Sequence, residues 1–185
     1  MTKLPPEFLW LADEDGPRIL KEMLKLYGTI ETPGPGNNPL ILQWAAAVGL
    51  GHVYKADEVP WCGLTISYAC AQAGYDYSPR GNALWARNWL AWGNAVPAGK
   101  EMLGDILVFQ RGSMGHVAMY VGETATQFWI LGGNQNDSVN IKAKSKADLL
   151  SGRRCAWRVN QPDNIRKVFM LANGQRTSNE AVKLS

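Results

Sequence analysis

A cysteine at the start of a predicted helix is the residue in this sequence with the clearest potential for chemistry. Cys62 follows Pro60 and opens the stretch WCGLTISYACAQAG, whose apolar residues and final Gly74 predict a helix. In the first turn of a helix, the dipole and the free backbone N–H groups favour a thiolate. The backbone N–H of Cys62 can also point at a developing oxyanion. Burial as a small apolar residue is the other interpretation, and it suits Cys70 and Cys155 better.

A thiol nucleophile needs a base, and the sequence offers two histidines, His52 and His116. His116 follows Gly115 and opens GHVAMYVGE, a run whose alternation predicts a strand with Val117 on the face opposite to His116. A polar residue at the open end of such a strand suits a site. His52 lies instead in the glycine-rich loop GLGHVY. For His116, an exposed or structurally hydrogen-bonded histidine is the alternative interpretation.

A third polar group is needed to hold the imidazole in one tautomer and orientation. Asn134 stands at the end of the predicted strand QFWILGGNQND, directly after two glycines. In an antiparallel pair this end lies near the start of the neighbouring strand, so Asn134 is placed to hydrogen-bond to His116. A plain turn is the alternative interpretation, because GGNQND has the composition of turns.

The elements that must position these residues form two groups, which predict an α+β fold with N-terminal helices packed on a central antiparallel β-sheet. Asn38 is placed to cap the second helix, and Trp85, Trp89 and Trp92 share one face of the fourth. The short connections favour a meander of neighbouring strands. Helices are predicted at 17–28, 39–49, 61–74 and 83–93. Strands are predicted at 104–112, 115–123, 127–134, 139–143 and 155–160.

Composition limits the classes of function. The chain has 185 residues, of which 46% are hydrophobic and 19% charged, as expected for one soluble globular domain without a membrane span. The net charge of +3 comes from scattered basic residues, so no nucleic acid partner is indicated. Three cysteines and two histidines without a CxxC pair argue against a zinc site, and no metal or other cofactor is predicted.

Three longer segments carry a resemblance to a known superfamily. PWCGLTISYACAQAG, GDILVFQRGSMGHVAMYVGE and WILGGNQNDSVNI resemble the NlpC-type and CHAP-type branch of papain-like cysteine peptidases and amidases. The closer similarity is to phage and prophage cell-wall hydrolases with a G-x-x-E-x-P-G…N-N-P opening, which stands here as GTIETPGPGNNP with Glu31 and Asn38. The segment at 83–93 also matches these proteins, and the resemblance covers roughly residues 15 to 160.

The resemblance implies a papain-like fold and the hydrolysis of an amide bond in the stem peptide or crosslink of peptidoglycan. It makes Cys62 the nucleophile, His116 the base and Asn134 the residue that orients the base. The third position varies in the superfamily, and Gln135 is the second candidate for it. No cofactor is implied.

Residues beside these three are expected to line the substrate cleft. Asp57 and Trp61 flank the nucleophile in sequence, and Gln135 follows Asn134. Trp61 has a purely structural alternative, in which it fastens the start of the helix to the core.

The expected organisation is a single catalytic domain at 1–160, helical over 1–100 and β-rich over 101–160, followed by a polar C-terminal tail at 161–185. The N-terminal residues lack the pattern of a signal peptide, so synthesis in the cytoplasm is expected, with action on the cell wall after release or delivery. A monomer is expected. The partners that fit this interpretation are a holin, a secretion system, a phage tail or an immunity protein, alongside the peptidoglycan substrate.

Other functions stay open at this point. Eight tryptophans suit a non-catalytic module that binds cell wall or glycan through exposed rings. The same fold could have N-acetylmuramoyl-L-alanine amidase specificity, or could act on another acyl substrate such as a lipid or a protein crosslink.

Overall fold

The computed structural model describes residues 3–157, 160–161 and 164–177, and it has the predicted α+β architecture. The α-helices of this part of the chain are α1 (Arg18–Leu26), α2 (Pro39–Ala47) and α3 (Cys62–Ala73). Shorter 3₁₀ helices span Pro6–Asp13, Ala86–Ala91 and Lys146–Asp148.

Local signals in the sequence set the bounds of the helices. The Asn38 side chain accepts a hydrogen bond of 2.9 Å from the backbone N–H of Leu40 and so caps α2, as predicted. Gly74 has a φ of 78°, the left-handed conformation that ends a helix, and it closes α3. The three predicted α-helices that start at 17–18, 39 and 61–62 are therefore confirmed.

The strands form one antiparallel sheet in the order β1-β6-β2-β3-β4-β5. The predicted meander is confirmed, since β2 to β5 are neighbours in chain order. The chain then crosses back, and β6 pairs with β2 at the other side of the meander. The strands are β1 (Asn94–Val96), β2 (Ile106–Phe109), β3 (His116–Glu123), β4 (Gln127–Gly132), β5 (Asn140–Ser145) and β6 (Leu149–Arg154).

Two of the predicted elements differ in the structure, and β1 and the 3₁₀ helix Pro6–Asp13 lie outside every predicted element. The last strand is Leu149–Arg154 and not 155–160; residues 155–157 are outside any strand, and 158–159 lie outside the described residues. The fourth predicted helix is a shorter 3₁₀ helix, Ala86–Ala91. This helix begins after Trp85. The Trp85 ring therefore does not share the buried face of Trp89 and Trp92, and it is 56% exposed.

Both faces of the sheet are buried at β2 and β3, which lie at its centre, and all eight residues of β3 are buried. Val117, Met119 and Val121 belong to the main core, which they share with α3. Ala118 and Tyr120 face the other way, into a smaller cluster. The alternation predicted for β3 is therefore confirmed. No helix within the described residues combines the length and apolar character needed to cross a membrane.

The chain after β6 returns to the core, although the sequence predicts a polar tail at 161–185. Ile165, Val168 and Met170 are buried, and the Arg166 guanidinium lies 2.8 Å from the Glu14 carboxylate. Apolar residues spaced between charged ones give the segment a mixed pattern that looks polar on average. The described residues 164–177 thus contribute to the packed domain, while 162–163 and 178–185 lie outside the described residues.

Candidate active site

Cys62 is the first residue of α3, and its thiol is buried against the start of β3. Burial raises the pKa of the Cys62 thiol, and this outweighs the lowering by the backbone N–H of Val117, the charge of Arg111 and the N–H of Gly63. The expected stabilisation by the helix start is therefore present, but it does not produce a thiolate at rest. A thiol in this position needs a base to become a nucleophile.

Close backbone contacts hold the start of α3 in place. A Cβ at Gly63 would lie 2.1 Å from the carbonyl oxygen of Ala83, so the turn before the 3₁₀ helix Ala86–Ala91 packs directly on the residue after Cys62. A Cβ at Gly133 would lie 1.9 Å from Thr65 Oγ1. The turn after β4 is thereby fixed against the first turn of α3, because only glycine allows both approaches.

His116 is the first residue of β3, and it is 4% exposed. Its Nε2 lies 3.1 Å from Oε1 of Gln135, whereas its Nδ1 is buried with no hydrogen-bond partner among the described residues. Burial lowers the pKa of His116 to about 4, helped by the positive charge of Arg111. The imidazole is therefore neutral near pH 7, and its lowered pKa makes it a weaker proton acceptor than an ordinary histidine.

The position of the Gln135 amide determines the tautomer of His116. Gln135 Nε2 donates to Asn140, at 2.8 Å from its carbonyl oxygen and 3.0 Å from its Oδ1. The amide oxygen of Gln135 is thus the atom that faces the imidazole, and it accepts from Nε2–H. The remaining nitrogen, Nδ1, carries the lone pair.

Asn134 does not make the expected hydrogen bond to His116; Gln135 makes it. Asn134 Nδ2 donates instead to Glu31 Oε1, at 2.9 Å. The physical reason is the backbone of the turn, where Asn134 has a φ of 54°. The left-handed conformation turns the side chain away from the direction that it would have in a continuing strand.

Trp61 and Asp57 lie below the surface, although both were expected to line the cleft. Trp61 is fully buried, and its indole N–H donates to the Glu31 carboxylate, as in the structural alternative considered for it. Asp57 is 2% exposed and accepts from the backbone N–H of Thr32 and of Asn38, at 3.0 and 2.8 Å. In this structure neither side chain presents surface to a substrate.

Glu31 is a site residue whose role the sequence does not reveal. Its carboxylate joins Trp61, which precedes the nucleophile, to Asn134, which precedes Gln135. The motif GTIETPGPGNNP thus holds the two halves of the site together. Its sequence signals are its place in this motif and its acidic side chain in a loop otherwise rich in glycine, proline and asparagine.

The structure brings Cys62 close to the backbone of β3 beside His116. The sulfur interacts with the N–H of Val117, the residue after His116, and the Arg111 charge acts on both the thiol and the imidazole. Cys62 packs in the main core, whereas the alternation of β3 directs His116 to the face of Ala118. Any approach of Nδ1 to the sulfur must therefore occur around the open end of β3.

The described residues contain no group of three or more His, Cys, Asp or Glu side chains placed to hold a metal ion.

No family model matches the chain, and no curated protein matches it significantly. The resemblance of its motifs to cell-wall hydrolases therefore stays an expectation.

We predict that Gln135→Ala lowers hydrolytic activity by roughly 10 to 1000-fold, because an orienting group biases the geometry and tautomer of the base without taking part in bond changes. Asn134→Ala is expected to leave a larger share of the activity, since Asn134 contacts Glu31 and not His116. Rates of peptidoglycan solubilisation, with folding checked by circular dichroism, test this order. Near-normal activity of Gln135→Ala beside a severe loss in Asn134→Ala would reverse the assignment.

The buried imidazole also predicts how stability depends on pH. His116 has an ordinary pKa of 6.5 when unfolded and about 4 in the fold, so the unfolded chain binds the proton more readily. Its contribution to stability is complete above pH 6.5 and is lost as the pH falls towards 4, by about 3 kcal/mol. Urea unfolding of the wild type and of His116→Gln across this range isolates the contribution. The difference between the two should shrink with falling pH; a constant difference would contradict the buried neutral imidazole.

Proposed function

We propose that this protein is a cysteine-dependent hydrolase that cleaves an amide bond of peptidoglycan, in the stem peptide or the crosslink. The observation that carries the proposal is the hydrogen bonding of His116. Gln135 accepts a hydrogen bond from its Nε2–H, and its Nδ1 has no hydrogen-bond partner among the described residues. Nδ1 keeps its lone pair free, and His116 is the residue before Val117, whose backbone contacts the Cys62 thiol, so this placement supports His116 as the general base.

In the proposed reaction the imidazole acts on a neutral thiol. Nδ1 of His116 takes the proton of Cys62 as the sulfur attacks the amide carbonyl, and the backbone N–H groups at the start of α3 stabilise the oxyanion. His116 then gives this proton to the leaving amine, and a thioester forms on Cys62. Water, deprotonated by His116, cleaves the thioester to a carboxylic acid and restores the thiol.

The resting structure has no hydrogen bond between the thiol and the imidazole. Catalytic hydrogen bonds are often long in the absence of substrate and shorten in the complex. Because Cys62 is only 2% exposed, productive binding also requires the residues above the start of α3 to move. The turn that contains Ala83 packs on Gly63, the residue after the nucleophile.

The substrate class comes from the resemblance to cell-wall hydrolases, with which the arrangement agrees. A cysteine at the start of a helix, a histidine at the start of the central strand and an amide after the next strand follow the papain-like order of the NlpC and CHAP branch. We therefore propose this fold for the chain, and action on the cell wall after release or delivery.

A non-catalytic wall-binding module is the second candidate, and the structure gives it less support than the composition does. Trp44, Trp61, Trp89 and Trp92 are buried in the core and cannot stack on a sugar. Trp85 is 56% exposed and can do so, and Trp10, Trp129 and Trp157 are partly exposed. N-acetylmuramoyl-L-alanine amidase specificity differs only in the bond cut.

Release of new amino groups from purified peptidoglycan separates the two functions. We expect the protein to generate amines, to keep this activity in EDTA and to lose it after treatment with a thiol-alkylating reagent. Binding to the insoluble polymer without any new amine would favour the module. Loss of activity in EDTA with recovery on addition of zinc would mean that the chemistry is metal-dependent.

A further inference from the structure

A small cavity opens beside the candidate base. It has a volume of about 180 Å³ and is lined by His116, Asn134 and Gln135 together with Arg111, Lys142 and Lys144. At roughly 30 Å³ per water molecule, it holds a group of a few heavy atoms, such as a carboxylate and its neighbouring carbons.

The charged side chains of this cavity all have the same sign. Lys142 and Lys144 are two residues apart on β5, so both face the cavity side of the sheet, while Arg111 lies in the connection between β2 and β3. Lys144 forms an ion pair of 2.6 Å with Asp148. Within the part of the chain that the structure describes, Arg111 and Lys142 have no carboxylate at ion-pair distance.

The positive field of this cluster reaches the reacting groups. The charge of Arg111 lowers the pKa of both the Cys62 thiol and the His116 imidazole, although burial is the largest influence on each. Arg111 and His116 line the same cavity. A cation held near a catalytic pair without a protein counter-ion is well placed to bind an anionic group of a substrate.

We propose that the cavity lined by Arg111 and Lys142 is a subsite for a substrate carboxylate, and that it makes the enzyme selective for an acidic peptide over the same peptide in amidated form. The inference rests on the proposed function and specifies its substrate. The planar guanidinium of Arg111 can bind both oxygens of a carboxylate at once, and the Lys142 ammonium supplies a second charge. A carboxamide is neutral and presents one acceptor and two donors, so it loses this attraction.

The test compares two synthetic stem peptides that differ only in one carboxylate, free in one and a carboxamide in the other. Wild-type kcat/KM is expected to favour the acid by about 10 to 100-fold, as for a charge-assisted hydrogen-bonded pair. Arg111→Gln should reduce this preference to a few-fold, mainly through KM for the acidic peptide. Arg111→Lys should restore part of it. Lys21→Gln removes one exposed positive charge from α1 and should leave the preference unchanged.

Failure of this inference is distinguishable from failure of the proposed function. Cleavage of both peptides at equal rates, with Arg111→Gln and Lys142→Gln lowering both alike, would overturn the subsite while leaving the hydrolase intact. Calorimetric titration of Cys62→Ala with the two peptides gives a readout that needs no turnover. Tighter binding of the acid, weakened by Arg111→Gln, would support the subsite even for an inactive protein; equal affinities would overturn it.

Discussion

Cys62→Ala is expected to reduce peptidoglycan hydrolysis to the background of the assay, a loss of about 1000-fold or more. Without the sulfur there is no nucleophile for the amide carbonyl, and the thioester cannot form. The fold should persist, because alanine is compatible with the first turn of α3 and the change removes a single buried atom. Turbidity loss of permeabilised cells or purified sacculi measures the activity, and thermal unfolding measures the fold.

Cys70→Ala is the matched control for this variant. Cys70 lies on the same helix, is fully buried and has a thiol whose pKa is raised well above its usual value, mainly by burial. Its replacement should affect stability and not chemistry. Full lytic activity of Cys62→Ala, or an equal loss of activity in Cys70→Ala with the fold intact, would contradict the assignment of Cys62 as the nucleophile.

The second large effect is expected at His116. His116→Ala should be as damaging as the loss of Cys62, since nucleophile and base act as one unit and removal of either eliminates most of the rate. The variant also leaves the buried oxygen of Gln135 without its donor, which costs about 1 to 3 kcal/mol of stability. Activity must therefore be measured at a temperature at which the variant is folded, as verified by circular dichroism.

His52→Ala and His116→Gln are the controls for His116→Ala. His52 is exposed in the loop between α2 and α3, so its loss should be mild. His116→Gln keeps a hydrogen-bonding side chain in the buried position but cannot act as the base. Activity retained in His116→Gln, or lost in His52→Ala, would show that the wrong histidine has been assigned.

The sequence predicts the elements of this fold well because each has a local physical signal. Asn38 and Gly74 mark helix ends through their capping chemistry, and the alternation after His116 specifies which residues of β3 face α3. The pairing of β6 with β2 has no comparable signal, since it depends on a distant crossing of the chain. The exposure of Trp85 depends similarly on where a short 3₁₀ helix begins.

The site is predicted less completely than the fold, and the reason is side-chain direction. In the turn after β4, Asn134, Asn136 and Asp137 all have positive φ values, so successive side chains do not alternate as they would in a strand. The sequence therefore favours Asn134, whereas the structure gives the hydrogen bond to Gln135. Proximity to Cys62 in sequence likewise does not show that Trp61 and Asp57 point inwards.

The central claim, that a Cys62 thiol served by His116 cleaves an amide of peptidoglycan, is tested most directly by mass spectrometry of the products from purified sacculi. We predict pairs of products whose masses together exceed that of the parent by one water, one with a new carboxyl group and the other with a new amine, from wild-type protein and from Cys70→Ala. Cys62→Ala and His116→Gln should release none of them. The same peptides from Cys62→Ala, or products from wild type with new reducing sugar ends and intact peptides, would contradict the claim.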